Sequence, residues 1–262
     1  MGILNITPDS FSDGGCFYSV DKALKQALLL SAQGADLIDI GGESTKPGAQ
    51  EVSIAEEIDR VIPVIEKIRE HSDVSISIDT YKPQVMEAAV AAGANFINDI
   101  YALRQEGALA MAARLSVPVC LMHMQGKPQT MQVNPDYPAG VVNEVLSFFQ
   151  ERLFACEQAG IARTQLIFDP GFGFGKHNNH NLMLLKELQQ LKLASLPLLL
   201  GVSRKNTLGA VLERPVNERL LGSLAVAVYA SLKGINVLRV HDVEETQQVL
   251  QVMHAIYHGI AH

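Results

Sequence analysis

The sequence predicts one α/β domain spanning residues 1–262, a (β/α)8 TIM barrel whose functional groups gather at the C-terminal ends of the strands. Three observations carry that expectation. Short apolar runs alternate eight times with longer segments of helical apolar periodicity. The runs are apolar on consecutive residues, the pattern of a parallel sheet covered by helices. Gly34, Gly93, Gly160 and Gly234 each stand shortly before a run, where a helix C-cap belongs. Eight such units favour a closed barrel over an open doubly wound sheet.

Taken in order, the first strand is read at residues 2–6, where Gly2-Ile3-Leu4 ends in the amide of Asn5. A long polar loop follows, Thr7-Pro8-Asp9-Ser10-Phe11-Ser12-Asp13-Gly14-Gly15. Further strands are expected at 36–40, 75–79, 96–99, 118–122, 166–169, 198–202 and 237–240. Helical periodicity is clearest at 23–32, 54–69, 141–159 and 220–232. Neither an interior linker nor a low-complexity segment divides the chain.

Composition narrows the function classes. Apolar residues make up 48% and charged residues 19% of the chain, ordinary for a domain with a substantial core. A net charge of −7 without a basic run argues against a nucleic-acid surface. Three cysteines (Cys16, Cys120, Cys156) without C-x-x-C spacing read as reduced thiols of a cytoplasmic protein. No stretch reaches membrane-span length, and Asn5 and Asp9 interrupt the N-terminus too early for a signal peptide.

Every expected strand ends in a polar or ionisable group. In order these are Asn5; Asp39 with Glu43-Ser44-Thr45; Asp79; Asn98-Asp99; His123; Asp169; Ser203-Arg204-Lys205; and Arg239 with His241. One such residue could simply cap the next helix. Eight in succession, including Lys205, Arg239 and His241, point to a site on one rim. Asp79, Asn98, Asp169 and Lys205 form an acid, amide, acid and cation set suited to a flat heterocycle rich in N–H donors and carbonyl acceptors. A plain Lys205–Asp169 salt bridge is the structural alternative. Asn5, Thr45, Lys46, Arg239 and His241 come from strands one, two and eight, neighbours in a closed barrel, and read as an anion site.

The run Gly171-Phe172-Gly173-Phe174-Gly175-Lys176 misses the G-x-x-x-x-G-K-[ST] spacing, and no G-x-G-x-x-G fingerprint occurs. It reads instead as a loop approaching a ligand, with Phe172 or Phe174 offering a ring. His123, His177 and His180 lack a zinc spacing with any cysteine, so zinc is not expected.

These residues resemble the dihydropteroate synthases, pterin-binding barrel enzymes of folate synthesis that sulfonamides inhibit. The resemblance rests on the loop from Asn5 to Gly15, on Gly41-Gly42-Glu43-Ser44-Thr45-Lys46-Pro47-Gly48 and on Ser77-Ile78-Asp79-Thr80. It continues through Asn98-Asp99, Leu121-Met122-His123-Met124, the Asp169-to-Lys176 segment, Ser203-Arg204-Lys205 and Arg239-Val240-His241-Asp242. It implies condensation of 7,8-dihydropterin-6-ylmethyl diphosphate with p-aminobenzoate to 7,8-dihydropteroate, releasing diphosphate with Mg2+, in tetrahydrofolate biosynthesis. Asp79, Asn98, Asp169 and Lys205 would hold the pterin, with Ile100, Met122 and Gly201 nearby. Asn5 would coordinate Mg2+, while Thr45, Arg239 and His241 would bind the phosphates. Phe11, Lys46, Pro47, Phe174, Ser203 and Asn206 would shape the aminobenzoate pocket. A dissociative displacement is expected, with Asn5, Asp79, Lys205, Arg239 and His241 as catalytic groups.

Departures from the family pattern are few. Lys46 replaces the usual arginine, turning a bidentate contact into a point charge. Asn206 replaces serine at the start of the seventh helix, where it is still expected to cap. The chain begins at strand one, without the segment that often precedes it in the family, so lower stability with unaltered chemistry is expected. Two other readings compete: a methyltetrahydrofolate:corrinoid methyltransferase, which needs no diphosphate group, and a non-catalytic pterin-binding paralogue. The resemblance further implies a homodimer, for which the apolar segment at 220–232 is a candidate interface.

Overall fold

The computed structural model describes residues 1–6, 16–45 and 48–259. Among these are eight strands, β1 (Gly2–Asn5), β2 (Leu37–Gly41), β3 (Ser75–Asp79), β4 (Phe96–Asp99), β5 (Val119–Met122), β6 (Leu166–Asp169), β7 (Leu199–Leu200) and β8 (Val237–Leu238). The α-helices are α1 (Cys16–Ala32), α2 (Ile54–Arg69), α3 (Pro83–Ala91), α4 (Ala108–Leu115), α5 (Val141–Gln158), α6 (Asn178–Lys186), α7 (Asn206–Leu212), α8 (Leu220–Leu232) and α9 (Val243–His258). All eight strands fall where the apolar runs placed them. The seventh unit differs from expectation, since a short helix α7 precedes the apolar helix α8.

β1 to β6 pair in parallel and in chain order, as do β7 and β8. Two single bridges, Phe168 with Leu198 and Gly2 with Val240, join the two groups into a ring. Backbone bonds from Phe168 N to Pro197 O (3.0 Å) and from Ile3 N to Val240 O (3.0 Å) reinforce these seams. The expected TIM barrel is therefore closed.

Local chemistry explains the elements. Ser53 caps α2, its hydroxyl accepting from Glu56 N at 3.2 Å, with Glu56 and Glu57 at the positive end and Lys67 and Arg69 at the negative end. Pro83 opens α3, where a missing N–H costs nothing. Gly34, Gly93, Gly160 and Gly234 all adopt positive φ behind their helices. Every residue of β4, β5 and β6 is buried. Between sheet and helices lie Ile38, Ile40, Val61, Ile65, Ile76, Ile78 and Ile97, all fully buried, each stabilising the fold by roughly 1.5–3 kcal/mol. A separate apolar group, Phe96, Cys120, Ile167 and Leu199, with Leu37 and Val237 against it, fills the barrel interior. Cys120 and Cys156 are free and buried. Among the described residues no helix is long and apolar enough to cross a membrane.

Register positions the site. Asn5 pairs with Gly41, Gly41 with Asp79, and Asp79 with Asn98, so four strand ends form one row. One step deeper, Asp39 pairs with Ser77.

Candidate active site

The row at the strand ends surrounds two carboxylates and one guanidinium. Arg239 donates from Nε to Asp39 Oδ2 at 2.6 Å and from Nη2 to Asp79 Oδ2 at 2.8 Å. Asp39 is fully buried and also accepts from Ser77 Oγ at 2.5 Å and Asn98 Nδ2 at 3.2 Å. Asp79 Oδ1 is buried without a hydrogen-bond partner among the described residues. Burial pushes Asp79 up to about 7, against the pull of Arg239 and with the push of Asp39. A buried carboxylate oxygen lacking a donor is an acceptor suited to a ligand N–H.

Asp169 and Lys205 complete the expected heterocycle set. Asp169 Oδ1 accepts Gly171 N at 2.7 Å, and burial raises its carboxyl against the pull of Lys205. Burial pushes Lys205 down to about 8, Asp169 opposing. No direct Lys205–Asp169 ion pair forms among the described residues; the ammonium donates to Phe172 O and lies 4.5 Å from the Phe174 ring centroid. Ile100 and Met122 are buried with Tyr81, Tyr101, Met124 and Met131, and Phe174 packs against them, giving an apolar wall beside Asn98. Gly201 faces the Arg239 stem, where a Cβ would lie 3.7 Å from Arg239 Cβ.

The expected anion set is assembled differently. Arg239 turns inward to Asp39 and Asp79, because two desolvated carboxylates attract a guanidinium more strongly than a water-exposed rim does. His241 Nδ1 lies 3.0 Å from Ser203 Oγ, and its backbone N donates to the same hydroxyl at 3.2 Å. His241 is exposed at the rim, and desolvation of its ring nitrogens, with the Arg204 and Arg239 cations, holds it below its ordinary value, so the ring is neutral at pH 7. Asn5 stands exposed at the rim, and a Cβ on Gly41 would lie 3.8 Å from its Oδ1 and 3.6 Å from Asp79 Oδ2. Thr45 is half-buried. Phe11, Lys46 and Pro47 lie outside the described residues.

One alternative is resolved and one further expectation is corrected. Phe172 is fully buried in the main core and offers no face to a ligand; only Phe174 reaches the site. Asn206 is the first residue of α7 and does not cap it; Lys205 holds the N-cap position, and Asn206 Oδ1 accepts from Arg219 Nη1 at 3.3 Å. The glycines of that loop serve close packing between loops. A Cβ on Gly171 would come within 1.8 Å of His123 O, and one on Gly175 within 2.6 Å of Gln125 O.

Sequence reasoning left several supporting groups unassigned. Asp39 stood among the strand-end residues without a role. Glu43 anchors the segment that follows β2, accepting from Lys82 Nζ (2.5 Å), Tyr81 OH (3.0 Å) and Val52 N (3.3 Å). Lys82 also pairs with the buried Glu57 at 2.6 Å. Arg204 Nε bonds Asp242 Oδ2 at 3.0 Å beside His241. Among the described residues no group of three His, Cys, Asp or Glu side chains could hold a metal ion.

Comparison with known proteins gives a consistent result. A family model described as pterin binding enzyme matches residues 1–241. The dihydropteroate synthase of Escherichia coli strain K12 is 52% identical over 255 residues, covering 97% of this chain and 90% of that protein. A crystal structure of the Yersinia pestis dihydropteroate synthase with a sulfonamide drug superposes with TM-score 0.93 at 50% identity, covering 98% and 93% of the two chains. The Xanthomonas albilineans dihydropteroate synthase with 4-aminobenzoic acid superposes with TM-score 0.92 at 49% identity, with the same coverages.

Proposed function

Because this chain belongs to the pterin-binding enzyme family, we propose that it is a transferase joining 7,8-dihydropterin-6-ylmethyl diphosphate to p-aminobenzoate, as a dihydropteroate synthase of tetrahydrofolate biosynthesis. The observation that carries this reading is the buried Asp79 Oδ1, without a partner among the described residues and set beside Asn98, Asp39 and Arg239. A pterin ring offers the N–H donors such an oxygen needs.

The chemistry follows from the placement of charge. The C–O bond between the pterin methylene and diphosphate breaks ahead of C–N bond formation. The electron-rich pterin spreads the resulting positive charge. Asp79 and Asp169, desolvated and close to that ring, favour the cation. Arg239, next to Asp79, favours the departing anion, and His241 supplies a neutral N–H donor. The aminobenzoate nitrogen then gives its lone pair to the methylene and loses its extra proton to solvent water. Placement matters more than activation for that amine, and Phe174, Ser203 and Asn206, with Phe11, Lys46 and Pro47, would provide it. The same pocket would accept sulfonamides.

The residues fit Mg2+ in one respect. Asn5 presents a hard amide oxygen at the solvent-facing rim, and Mg2+ prefers few protein ligands plus water and substrate phosphates. Bound there through Asn5, Mg2+ would neutralise charge on the diphosphate.

A homodimer fits the outer surface. α8 buries Ser223, Ala227 and Ala230 against the barrel yet exposes Leu221 and Leu232, and Val211 and Val216 are exposed nearby in sequence. Sedimentation of Leu221→Glu beside the parent chain tests this, dissociation being the supporting result. Two buried, unpaired thiols suit a reducing cytoplasm.

The deciding experiment measures dihydropteroate by mass spectrometry, with Mg2+ and with EDTA. Mg2+-dependent product that collapses in Asn5→Ala supports the reading. Pterin binding without turnover favours the non-catalytic paralogue, and methyl transfer from methyltetrahydrofolate favours the corrinoid-type alternative.

A further inference from the structure

The loop after β6 is tied down at five successive carbonyls, Gly171 to Gly175. Gly171 O accepts from Lys176 Nζ at 3.0 Å, Phe172 O from Lys205 Nζ, and Gly173 O from Gln132 Nε2 at 2.8 Å. Phe174 O accepts from Lys176 Nζ at 3.0 Å, and Gly175 O from Tyr137 OH at 2.7 Å. Two ammonium groups thus serve one short loop. Lys205 lies on the substrate side. Lys176, 3% exposed, lies on the inner side.

Among the described residues, the hydrogen-bond partners of Lys176 are all acceptors. Beyond the two loop carbonyls it meets His123 Nδ1 at 2.9 Å and His123 O at 3.4 Å. Burial pushes the Lys176 ammonium well down, with Asp169 opposing. Burial and the Lys176 and Arg104 cations push His123 down to about 2, so its imidazole is neutral. Its Nδ1 accepts from Lys176, which places the ring proton on Nε2. A surface-loop lysine would shed this desolvation cost by turning into water; this one stays because three backbone oxygens and an imidazole all accept from it.

We propose that Lys176, held by His123, is a positioning residue of the substrate site. It fixes the loop whose Phe172 carbonyl and Phe174 ring hold the Lys205 ammonium. The path is short and continuous: His123 orients Lys176, Lys176 fixes the carbonyls of Gly171 and Phe174, and these set the carbonyl and ring that Lys205 touches. Gly171 conforms to it, since its missing Cβ lets the loop press against the His123 carbonyl. The proposal rests on the reading that Lys205 and Phe174 bind substrate.

The test compares Lys176→Met, His123→Leu and His123→Asn, the last retaining an oxygen acceptor near Nδ1. Steady-state kinetics are paired with the Lys205 titration in ligand-free protein, read by 13C-lysine NMR and assigned with Lys205→Arg. Expected for His123→Leu is about a tenfold fall in kcat/KM, mostly in KM for both substrates, with Lys205 titrating at higher pH than in the parent chain. His123→Asn should recover both. Lys176→Met should move Lys205 upward further, because a neighbouring cation is also lost. Parent-like KM and Lys205 titration in a folded His123→Leu overturn the proposal, as does a His123→Asn that behaves like His123→Leu. Should Lys176→Met not fold, the histidine pair decides. Should the parent chain fail to make dihydropteroate, the functional reading fails while the Lys205 titration still decides on Lys176.

Discussion

Arg239 and Asp79 meet in a 2.8 Å ion pair across the barrel mouth, and the same guanidinium holds Asp39 at 2.6 Å. One cation therefore sets the geometry of two carboxylates on adjacent strands. Asp39 touches Ser77, Asn98 and Arg239 together and is fully buried. Asp39→Asn removes the charge while keeping the shape. Charge-assisted hydrogen bonds of this kind contribute about 1.5–3 kcal/mol, so kcat/KM for the pterin substrate should fall by roughly 10- to 150-fold. Circular dichroism should stay at the parent spectrum. Parent-like kinetics in Asp39→Asn would sink the assignment.

The pH profile should report Asp79. Burial raises its carboxyl to about 7, and the carboxylate is the form that accepts a pair of N–H bonds. kcat/KM for the pterin substrate should therefore drop as pH falls through about 7. The sign of each neighbour then follows. Asp39→Asn removes a like charge and moves the limb to lower pH. Arg239→Gln removes the opposing cation and moves it to higher pH. A limb that neither substitution moves belongs to another group.

How far the sequence could be read depends on which distances it encodes. Strand ends were legible because a buried parallel strand that stops at Asp79, Asn98 or Asp169 leaves few structural uses for the polar group. Which of those groups meet was not legible, because that depends on the barrel radius and on side-chain reach. Arg239 is long enough to cross to Asp39 and Asp79, and sequence order placed it with His241 instead. Phe172 and Phe174 share a motif and a residue type, and only the turn of the loop sends one inward and the other to the site. The glycine run was read as letting its loop approach a ligand, whereas Gly171 faces the His123 carbonyl on the preceding loop, a contact with no trace in local spacing.

Glycine substitutions separate backbone strain from close packing. At Gly160 (φ +85°) an added Cβ would meet nothing within 4 Å, so Gly160→Ala carries only the left-handed penalty, about 1–2 kcal/mol. That is a Tm loss of roughly 2–8 °C. Gly171 (φ +66°) carries the same penalty and a backbone clash at 1.8 Å. Gly171→Ala should lose at least twice as much in Tm by calorimetry, together with aminobenzoate affinity. Equal Tm losses for the two would mean the loops after β5 and β6 separate freely.

Lys82 offers a test of the Glu43 anchor after β2. Its ammonium lies 2.5 Å from Glu43 and 2.6 Å from Glu57, which is 1% exposed. Removing one partner of a buried pair leaves an uncompensated charge, a cost of about 3–5 kcal/mol, so Lys82→Met should be among the most destabilising substitutions in the chain. The pH dependence of that cost has a definite sign. Burial already raises the Glu57 carboxyl above its ordinary value, with Lys82 opposing, and without Lys82 it rises further. A group whose folded-state pKa is raised favours the folded state when protonated, so the Lys82→Met deficit should shrink as pH falls through the Glu57 titration. Glu57→Gln in the Lys82→Met background should recover part of the loss at neutral pH and weaken its pH dependence, the stranded Glu43 accounting for the remainder. Urea denaturation of the parent, the single variant and the double variant at pH 5.5 and 8 measures both effects. A deficit independent of pH and unaltered by Glu57→Gln would place its origin in lost packing of the lysine stem rather than in an exposed balance of charge.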